Sequence, residues 1–112
     1  MTVYVANIVV NAGADFNQTY DLADQNTNTA KDLSGHSVAS QMRKHAGAVG
    51  VTTFTTTIVN AAAGQIRIGL TTSQTKALKP GRYVYDVMLT APDNSMVRVI
   101  EGMSLVREGV TR

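Results

Sequence analysis

Few side chains in this sequence could carry out chemistry. The only histidines are His36 and His45, and there is no cysteine. A catalytic triad needs a histidine beside a nucleophile and a carboxylate, but His36 opens a predicted strand and His45 precedes a loop of small residues. Neither is accompanied by the Gly-x-Ser-x-Gly turn that presents a serine nucleophile. The lack of cysteine also excludes thiol catalysis, disulfides and zinc ribbons. We therefore predict that the chain is not an enzyme.

The polar segment from Asp24 to Asp32 is the best match to a metal site. Oxygen-bearing side chains at its first, third, fifth and ninth positions resemble a calcium-binding loop. The sixth position is Thr29 where a glycine is needed, and the twelfth is Gly35 rather than a glutamate. Lys31 also brings a positive charge into the segment. We predict a polar connection between strands, with calcium binding as the alternative.

The segment Ala46–Gly50 superficially resembles a phosphate-binding loop. It lacks the Lys-Ser/Thr ending of such loops, and no helix is predicted after it. We predict no cofactor.

Size and composition limit what the rest of the chain can be. Its 112 residues suffice for one domain, residues 1–112, with a single core. The formal net charge of +2 is too small to indicate a nucleic-acid-binding surface. No apolar run approaches the roughly 18 residues of a membrane span, and residues 1–4 begin no signal peptide. We therefore expect no nucleic-acid or membrane partner, and synthesis in the cytoplasm of the cell that makes the protein.

The core is expected to be thin. The chain has no tryptophan and two phenylalanines, and threonine, valine and alanine are abundant. Threonine and valine favour half-buried strands. Small core side chains indicate a domain that neighbours in an assembly help to stabilise.

The stretch from Lys79 to Gly102 predicts a β-hairpin around the turn Pro92-Asp93-Asn94. Proline presets φ for the first turn residue, aspartate suits the second, and asparagine tolerates the left-handed third position. We expect a bulge or bend at Gly102, because the apolar alternation shifts nearby. The predicted register places Leu89 opposite Val97, Val87 opposite Val99, Tyr85 opposite Glu101 and Tyr83 opposite Met103.

Apolar alternation elsewhere predicts further short strands and almost no helix. The remaining predicted strands are Val3–Val10, Phe16–Leu22, His36–Lys44, Val51–Val59 and Gln65–Leu70, and one helical turn is predicted at Thr72–Leu78. Seven strands without a βαβ pattern are typical of an antiparallel β-sandwich with Greek-key connections. The run Leu78–Tyr83 also resembles a tyrosine corner, in which the hydroxyl bonds back to an upstream carbonyl. Simple core packing of Tyr83 is the alternative.

A small all-β domain without a catalytic constellation is expected to act through its surface. We predict that the first strand and the Met103–Val106 continuation of the last strand are sheet edges that pair with another chain. The predicted interaction residues are Val3, Val5, Ile8, Val10, Met103, Leu105, Val106, Arg107 and Arg112.

Several segments together resemble small immunoglobulin-like virion proteins of tailed bacteriophages, similar to the N-terminal domain of phage baseplate upper proteins. The turn Asp32-Leu33-Ser34-Gly35 and the strand ending Gln41-Met42-Arg43-Lys44 are similar to parts of that family. So are Gly64–Ile68 and Ser73–Leu78. The closing hairpin Gly81–Val87 and the later Glu101-Gly102 and Val110-Thr111-Arg112 complete the resemblance, which covers most of the chain from Ala14 onward.

The resemblance implies a non-enzymatic component of the virion with an immunoglobulin-like fold. A tail, baseplate or neck location is favoured over capsid decoration. Other phage structural proteins and further copies of the chain are the implied partners. The alternative function is a calcium- or carbohydrate-binding adhesion module that uses the Asp24–Asp32 loop.

Overall fold

The chain is mostly β-strand with almost no helix, as predicted. The computed structural model describes residues 4–24, 29–30 and 32–109. The strands of the described residues are Tyr4–Val5 (β1), Ile8–Asn11 (β2), Phe16–Asp21 (β3), Ala23–Asp24 (β4), Thr29–Ala30 (β5), Ser37–Arg43 (β6), Thr52–Thr53 (β7), Thr55–Asn60 (β8), Gln65–Leu70 (β9), Gly81–Thr90 (β10) and Met96–Arg107 (β11), and the helix is Thr72–Lys76 (α1).

The larger sheet has the strand order β1-β11-β10-β6-β7, and β2 also pairs with β11. Strands β6, β7, β10 and β11 pair antiparallel, whereas β1 and β2 run parallel to β11. The prediction of wholly antiparallel pairing is therefore wrong at this edge. These partners are 96 residues apart in sequence, so no hairpin turn sets their direction.

The smaller sheet has the order β3-β9-β8 and is antiparallel, and β4 and β5 form a separate two-stranded ladder. The central strand of this sheet, β9, has the predicted bounds, and its alternate residues Ile66, Ile68 and Leu70 are buried. The ladder lies within the segment predicted as a polar loop, of which residues 25–28 and 31 lie outside the described residues.

The predicted strand Val51–Val59 is divided at Phe54, whose side chain is buried. Before Phe54 the chain pairs with β6 of the larger sheet, and after it with β9 of the smaller one. The ring of Phe54 contacts Phe16 of the smaller sheet and Tyr85 of the larger, at centroid distances of 5.9 and 6.1 Å. One buried aromatic residue therefore marks the crossing and contacts both sheets.

The buried faces of both sheets contribute to a single hydrophobic cluster. Its members are mainly aliphatic, as the composition predicts. They are Ile8, Val10, Phe16, Leu22, Leu33, Met42, Phe54, Ile66, Ile68, Leu70, Tyr85, Val87, Leu89, Val99, Ile100 and Val106.

The β10–β11 hairpin has the predicted turn. The amide of Ala91 donates to the carbonyl of Ser95 at 2.8 Å, and Asn94 has a positive φ of 69°. Leu89 lies opposite Val97 as predicted, but Val87 lies opposite Ile100 instead of Val99. The bulge is therefore at Val99, three residues before the predicted position, and every pair beyond it is shifted by one residue.

The helical turn and the tyrosine corner are close to their predictions. The helix α1 lies within the predicted turn Thr72–Leu78, is capped by Thr71, and has a capping box that Gln74 completes. Farther along, the hydroxyl of Tyr83 donates to the Lys79 carbonyl at 2.7 Å. This hydrogen bond is the one expected of a tyrosine corner.

Candidate interaction surface

The outward side of the larger sheet exposes a row of apolar side chains. Strands β2 and β11 alternate between buried and exposed residues beyond the bulge, because successive side chains of a strand point to opposite faces. We call the exposed set the outer stripe. Its members and exposed fractions are Val5 (74%), Val9 (48%), Met103 (47%), Leu105 (40%) and Val84 (37%).

The outer stripe is continuous across the strands. Leu105 lies beside Val9 of β2, and Met103 lies beside Val84 of β10. Neighbouring side chains on one face of a sheet are in contact distance. Monomeric soluble proteins rarely expose contiguous apolar surface of this kind without an interaction to serve.

Three of the predicted interaction residues belong to the outer stripe: Val5, Met103 and Leu105. Arg107 is also exposed, at the end of β11. Val3 and Arg112 lie outside the described residues.

Three other predicted interaction residues are in the core. Ile8, Val10 and Val106 are at most 6% exposed, so their side chains are not available to a partner. All three occupy the alternate strand positions whose side chains point toward the core.

Sequence reasoning missed Val9 and Val84. In the run Ile8-Val9-Val10 all residues are apolar, so composition does not say which face is buried. Val84 was missed because the predicted register paired Met103 with Tyr83. The burial of Phe16 in β3 does not show which face of β2 is buried, because β2 and β3 are in different sheets.

The Met103–Val106 segment is not a sheet edge. Strand β11 pairs with β10 on one side and with β1 and β2 on the other, so that prediction is wrong. The first segment is at the margin, because no described strand pairs with β1 or β2 on their other side. We call residues 4–11 the edge segment.

The edge segment is interrupted between β1 and β2, where it crosses Gly102. A Cβ atom at Gly102 would overlap the Ala6 carbonyl, so only glycine fits there. The displaced Ala6 carbonyl accepts a hydrogen bond from the hydroxyl of Tyr85. The Asn7 side chain supplies the β-ladder acceptor in place of that carbonyl, since its Oδ1 accepts a hydrogen bond from the Met103 amide at 3.0 Å.

The hydroxyls of Tyr85 and Tyr20 are 2.7 Å apart. Tyr85 has one hydroxyl proton and donates it to Ala6, so Tyr20 donates to Tyr85. Burial raises the pKa of both tyrosines, and the hydrogen bond with Tyr20 raises the pKa of Tyr85 further. This chain of hydrogen bonds joins β3 of the smaller sheet to the edge segment.

A cluster of charges adjoins the outer stripe. Asp86 and Glu101 lie opposite each other on β10 and β11, an arrangement that is unfavourable for two carboxylates. The guanidinium group of Arg98 offsets the repulsion between these carboxylates: its Nε lies 3.3 Å from Oδ2 of Asp86, and its Nη1 lies 3.5 Å from Oε2 of Glu101. These three residues border a groove of about 620 Å³ that also includes Val5, Val84 and Met103.

Opposite this surface, the outward side of the smaller sheet is polar. Thr55 and Thr57 of β8 and Asn17 of β3 are exposed there, with Arg67 between them. The contrast between the two sheets makes the outer stripe the candidate interaction surface.

The residues considered for chemistry remain dispersed. The Nδ1 atom of His36 lies 3.2 Å from the Ser34 carbonyl, in the turn before β6. Among residues 4–24, 29–30 and 32–109, no group of three or more histidine or acidic side chains could hold a metal ion. The candidate calcium loop lies largely outside that range, so calcium binding by the Asp24–Asp32 segment stays the alternative to a polar connection. No helix of the described chain is long and apolar enough to cross a membrane.

No protein-family model matches the sequence, and no curated protein matches it either. Solved structures do match. One is an internalin-like protein of Listeria monocytogenes, with a TM-score of 0.46 and 14% identity over 96% of this chain and 28% of that one. Another is a family 123 glycoside hydrolase from Clostridium perfringens, with a TM-score of 0.45 and 13% identity over 100% of this chain and 24% of that one. The chain spans about a quarter of each, and at this similarity no function transfers from either protein.

Proposed function

We propose that the chain is a non-enzymatic structural component of a tailed bacteriophage particle, which acts through protein–protein contacts in a repetitive assembly. A tail, baseplate or neck position is favoured over decoration of the head. The observation that carries the proposal is the outer stripe beside a sheet edge with which no described strand pairs. This surface suits docking by packing and strand addition.

The finer fold assignment belongs to the same proposal. We infer that the two sheets form an immunoglobulin-like β-sandwich. Support comes from the single core to which both sheets contribute and from the Tyr83–Lys79 hydrogen bond. Greek-key connections are the corresponding topology in such domains.

The phage particle enters the proposal through the sequence motifs that are similar to those of phage virion proteins. Asp32-Leu33-Ser34-Gly35 forms a turn in which Gly35 has a positive φ of 75° and Asp32 accepts the Ser34 amide at 3.0 Å. The turn precedes β6, as the resemblance implies. Its residues have structural roles, which is what a scaffold protein requires.

Quantitative mass spectrometry of purified particles tests this function. Particles of the phage that encodes the chain are banded on a density gradient and washed, with the major capsid protein as the positive control and a replication protein as the negative one. We expect the chain to copurify at a fixed copy number. Recovery only from the unbanded lysate would contradict the proposal.

Calcium titration separates this proposal from an adhesion module. Calorimetry with the purified chain is expected to give no saturable heat on addition of calcium. A saturable heat that is lost on Asp24→Asn and Asp32→Asn substitution would favour the adhesion module instead.

A further inference from the structure

The edge segment carries neither charged side chains nor proline, two of the devices with which natural proteins protect sheet edges. Its sequence at residues 4–11 is Tyr-Val-Ala-Asn-Ile-Val-Val-Asn. Its two strands are short and are interrupted between β1 and β2, but no described strand pairs with their outer side. An incoming strand can therefore add at this edge.

The hydrogen-bonding groups of the edge segment alternate in direction. The amides of Ala6 and Ala12 donate to carbonyls of β11 at 2.9 and 2.8 Å. Because backbone groups alternate sides along a strand, the odd-numbered residues of the edge segment turn their N–H and C=O groups to the open edge. Val5, Asn7, Val9 and Asn11 thus form its pairing side, and the side chains of Val5 and Val9 lie in the outer stripe.

The charges next to the edge select a direction of pairing. Glu101 lies beside Val5, and Arg107 lies beside Asn11, all on the outward side of the sheet. A second copy that runs antiparallel, with its Asn11 opposite Val5, brings its Arg107 into the row of Glu101. Because the same edge of each copy must meet, a parallel copy would be turned over, with its outer stripe and its Arg107 on the opposite face of the joined sheet. In the antiparallel pair, Glu101 and Arg107 of the other copy would be three strand spacings, or about 14 Å, apart at their Cα atoms, and their long side chains shorten that gap.

We propose that the occupant of this edge is a second copy of the same chain, paired antiparallel about a twofold axis at Ile8. Val5 then lies opposite Asn11 of the other copy, and Asn7 lies opposite Val9. The two larger sheets become one continuous sheet, and the outer stripes of both copies form one apolar face. A twofold contact of this type closes on itself, so it gives a dimer rather than a filament.

The dimer rests on the function proposed above, since it names the first partner of the same surface. The combined apolar face would then bind the neighbouring protein of the particle. The dimer and the virion function can be refuted independently of each other. A chain that is monomeric in solution but present in particles would overturn the dimer alone.

Light scattering coupled to size-exclusion chromatography tests the dimer. We expect the mass of two chains at a concentration of about 100 µM, and one chain for Val9→Lys. Two lysines would enter each dimer, so the dissociation constant should rise about a hundredfold. The matched control is Val49→Lys, which adds the same charge at a fully exposed loop position and should leave the dimer intact. A monomeric native chain, or equal mass for both variants, would overturn the proposal.

Disulfide crosslinking tests the register and does not depend on the behaviour of Val9→Lys. The native chain has no cysteine, and opposite Cα atoms in a hydrogen-bonded antiparallel pair are about 5.5 Å apart, within disulfide reach. Oxidised V5C/N11C should give covalent dimers, whereas V5C/V9C should not. Within one chain, Val5 and Asn11 are about 20 Å apart, so an internal disulfide cannot mimic the result. Equal crosslinking of both variants, or none of either, would refute the register.

Discussion

The hydroxyl of Tyr85 is the most informative single group to remove. It donates to the Ala6 carbonyl and accepts from Tyr20, so it joins the edge segment to the smaller sheet. The substitution Tyr85→Phe keeps the ring that contacts Phe54 and deletes both hydrogen bonds. The loss therefore reports on the hydrogen bonds and not on the aromatic packing.

The expected loss follows from what remains unpaired. An unsatisfied carbonyl costs about 1–3 kcal/mol, and an ordinary hydrogen bond contributes about 1 kcal/mol. We expect Tyr85→Phe to lower the free energy of unfolding by about 2 kcal/mol. Tyr20→Phe should cost about 1 kcal/mol, because Tyr85 still donates to Ala6. The double variant should lose about 2 kcal/mol, since the shared bond is removed only once.

Urea denaturation followed by circular dichroism measures these differences for the native chain and the three variants. Thermal melting is the second readout, with an expected fall of about 4 °C per kcal/mol. The coupling energy between the two substitutions should be about 1 kcal/mol. Additive losses, or a Tyr85→Phe loss no larger than that of Tyr20→Phe, would refute the chain of hydrogen bonds.

Three further perturbations test other parts of the structure. At alkaline pH, unfolded tyrosine loses its proton near pH 10, whereas burial raises the pKa of Tyr85 in the fold. The contribution of Tyr85 to stability should thus be constant below pH 10 and fall above it by up to about 1.4 kcal/mol per pH unit, a slope that denaturation at pH 9 to 11 should find reduced in Tyr85→Phe. Gly102→Ala should cost about 3 kcal/mol in urea denaturation, because its methyl group overlaps the Ala6 carbonyl; an unchanged midpoint would contradict the crossing. Ser104→Ala should be neutral or stabilising by up to about 1 kcal/mol, because the buried Ser104 hydroxyl has no hydrogen-bond partner among the described residues, and a loss above 1 kcal/mol in the same assay would show that the hydroxyl is satisfied.

Features of the fold that depend on neighbouring residues were predictable from the sequence. Each residue of Pro92-Asp93-Asn94 suits one position of the turn, so both the turn and the pairing of Leu89 with Val97 follow from local chemistry. The polar and apolar residues of Gln65–Leu70 alternate strictly enough to locate β9 and its buried face.

Features that depend on distant residues were not predictable. The bulge falls at Val99, beside Ile100, and two adjacent apolar residues leave open which of them is the extra one. The parallel pairing of β2 with β11 joins residues 96 positions apart in the sequence. Phe54 interrupts a threonine-rich run whose composition is the same on both sides. The sequence pattern therefore does not show that the chain passes from one sheet to the other there.

The candidate surface was partly predictable for the same reasons. Val5, Met103 and Leu105 were identified because they belong to apolar strands near the termini. Distinguishing Val9 from Ile8 and Val10 requires the parity of β2, which only its pairing with β11 fixes.

A cryo-EM map of the intact phage particle is the most direct test of the outer stripe and the edge segment as the working surface of this protein. We expect the chain at symmetry-related positions, with Val5 and Val9 beside a second copy and the outer stripe covered by protein. A map in which every copy leaves that face and edge exposed to solvent, or that contains no copy at all, would contradict this function.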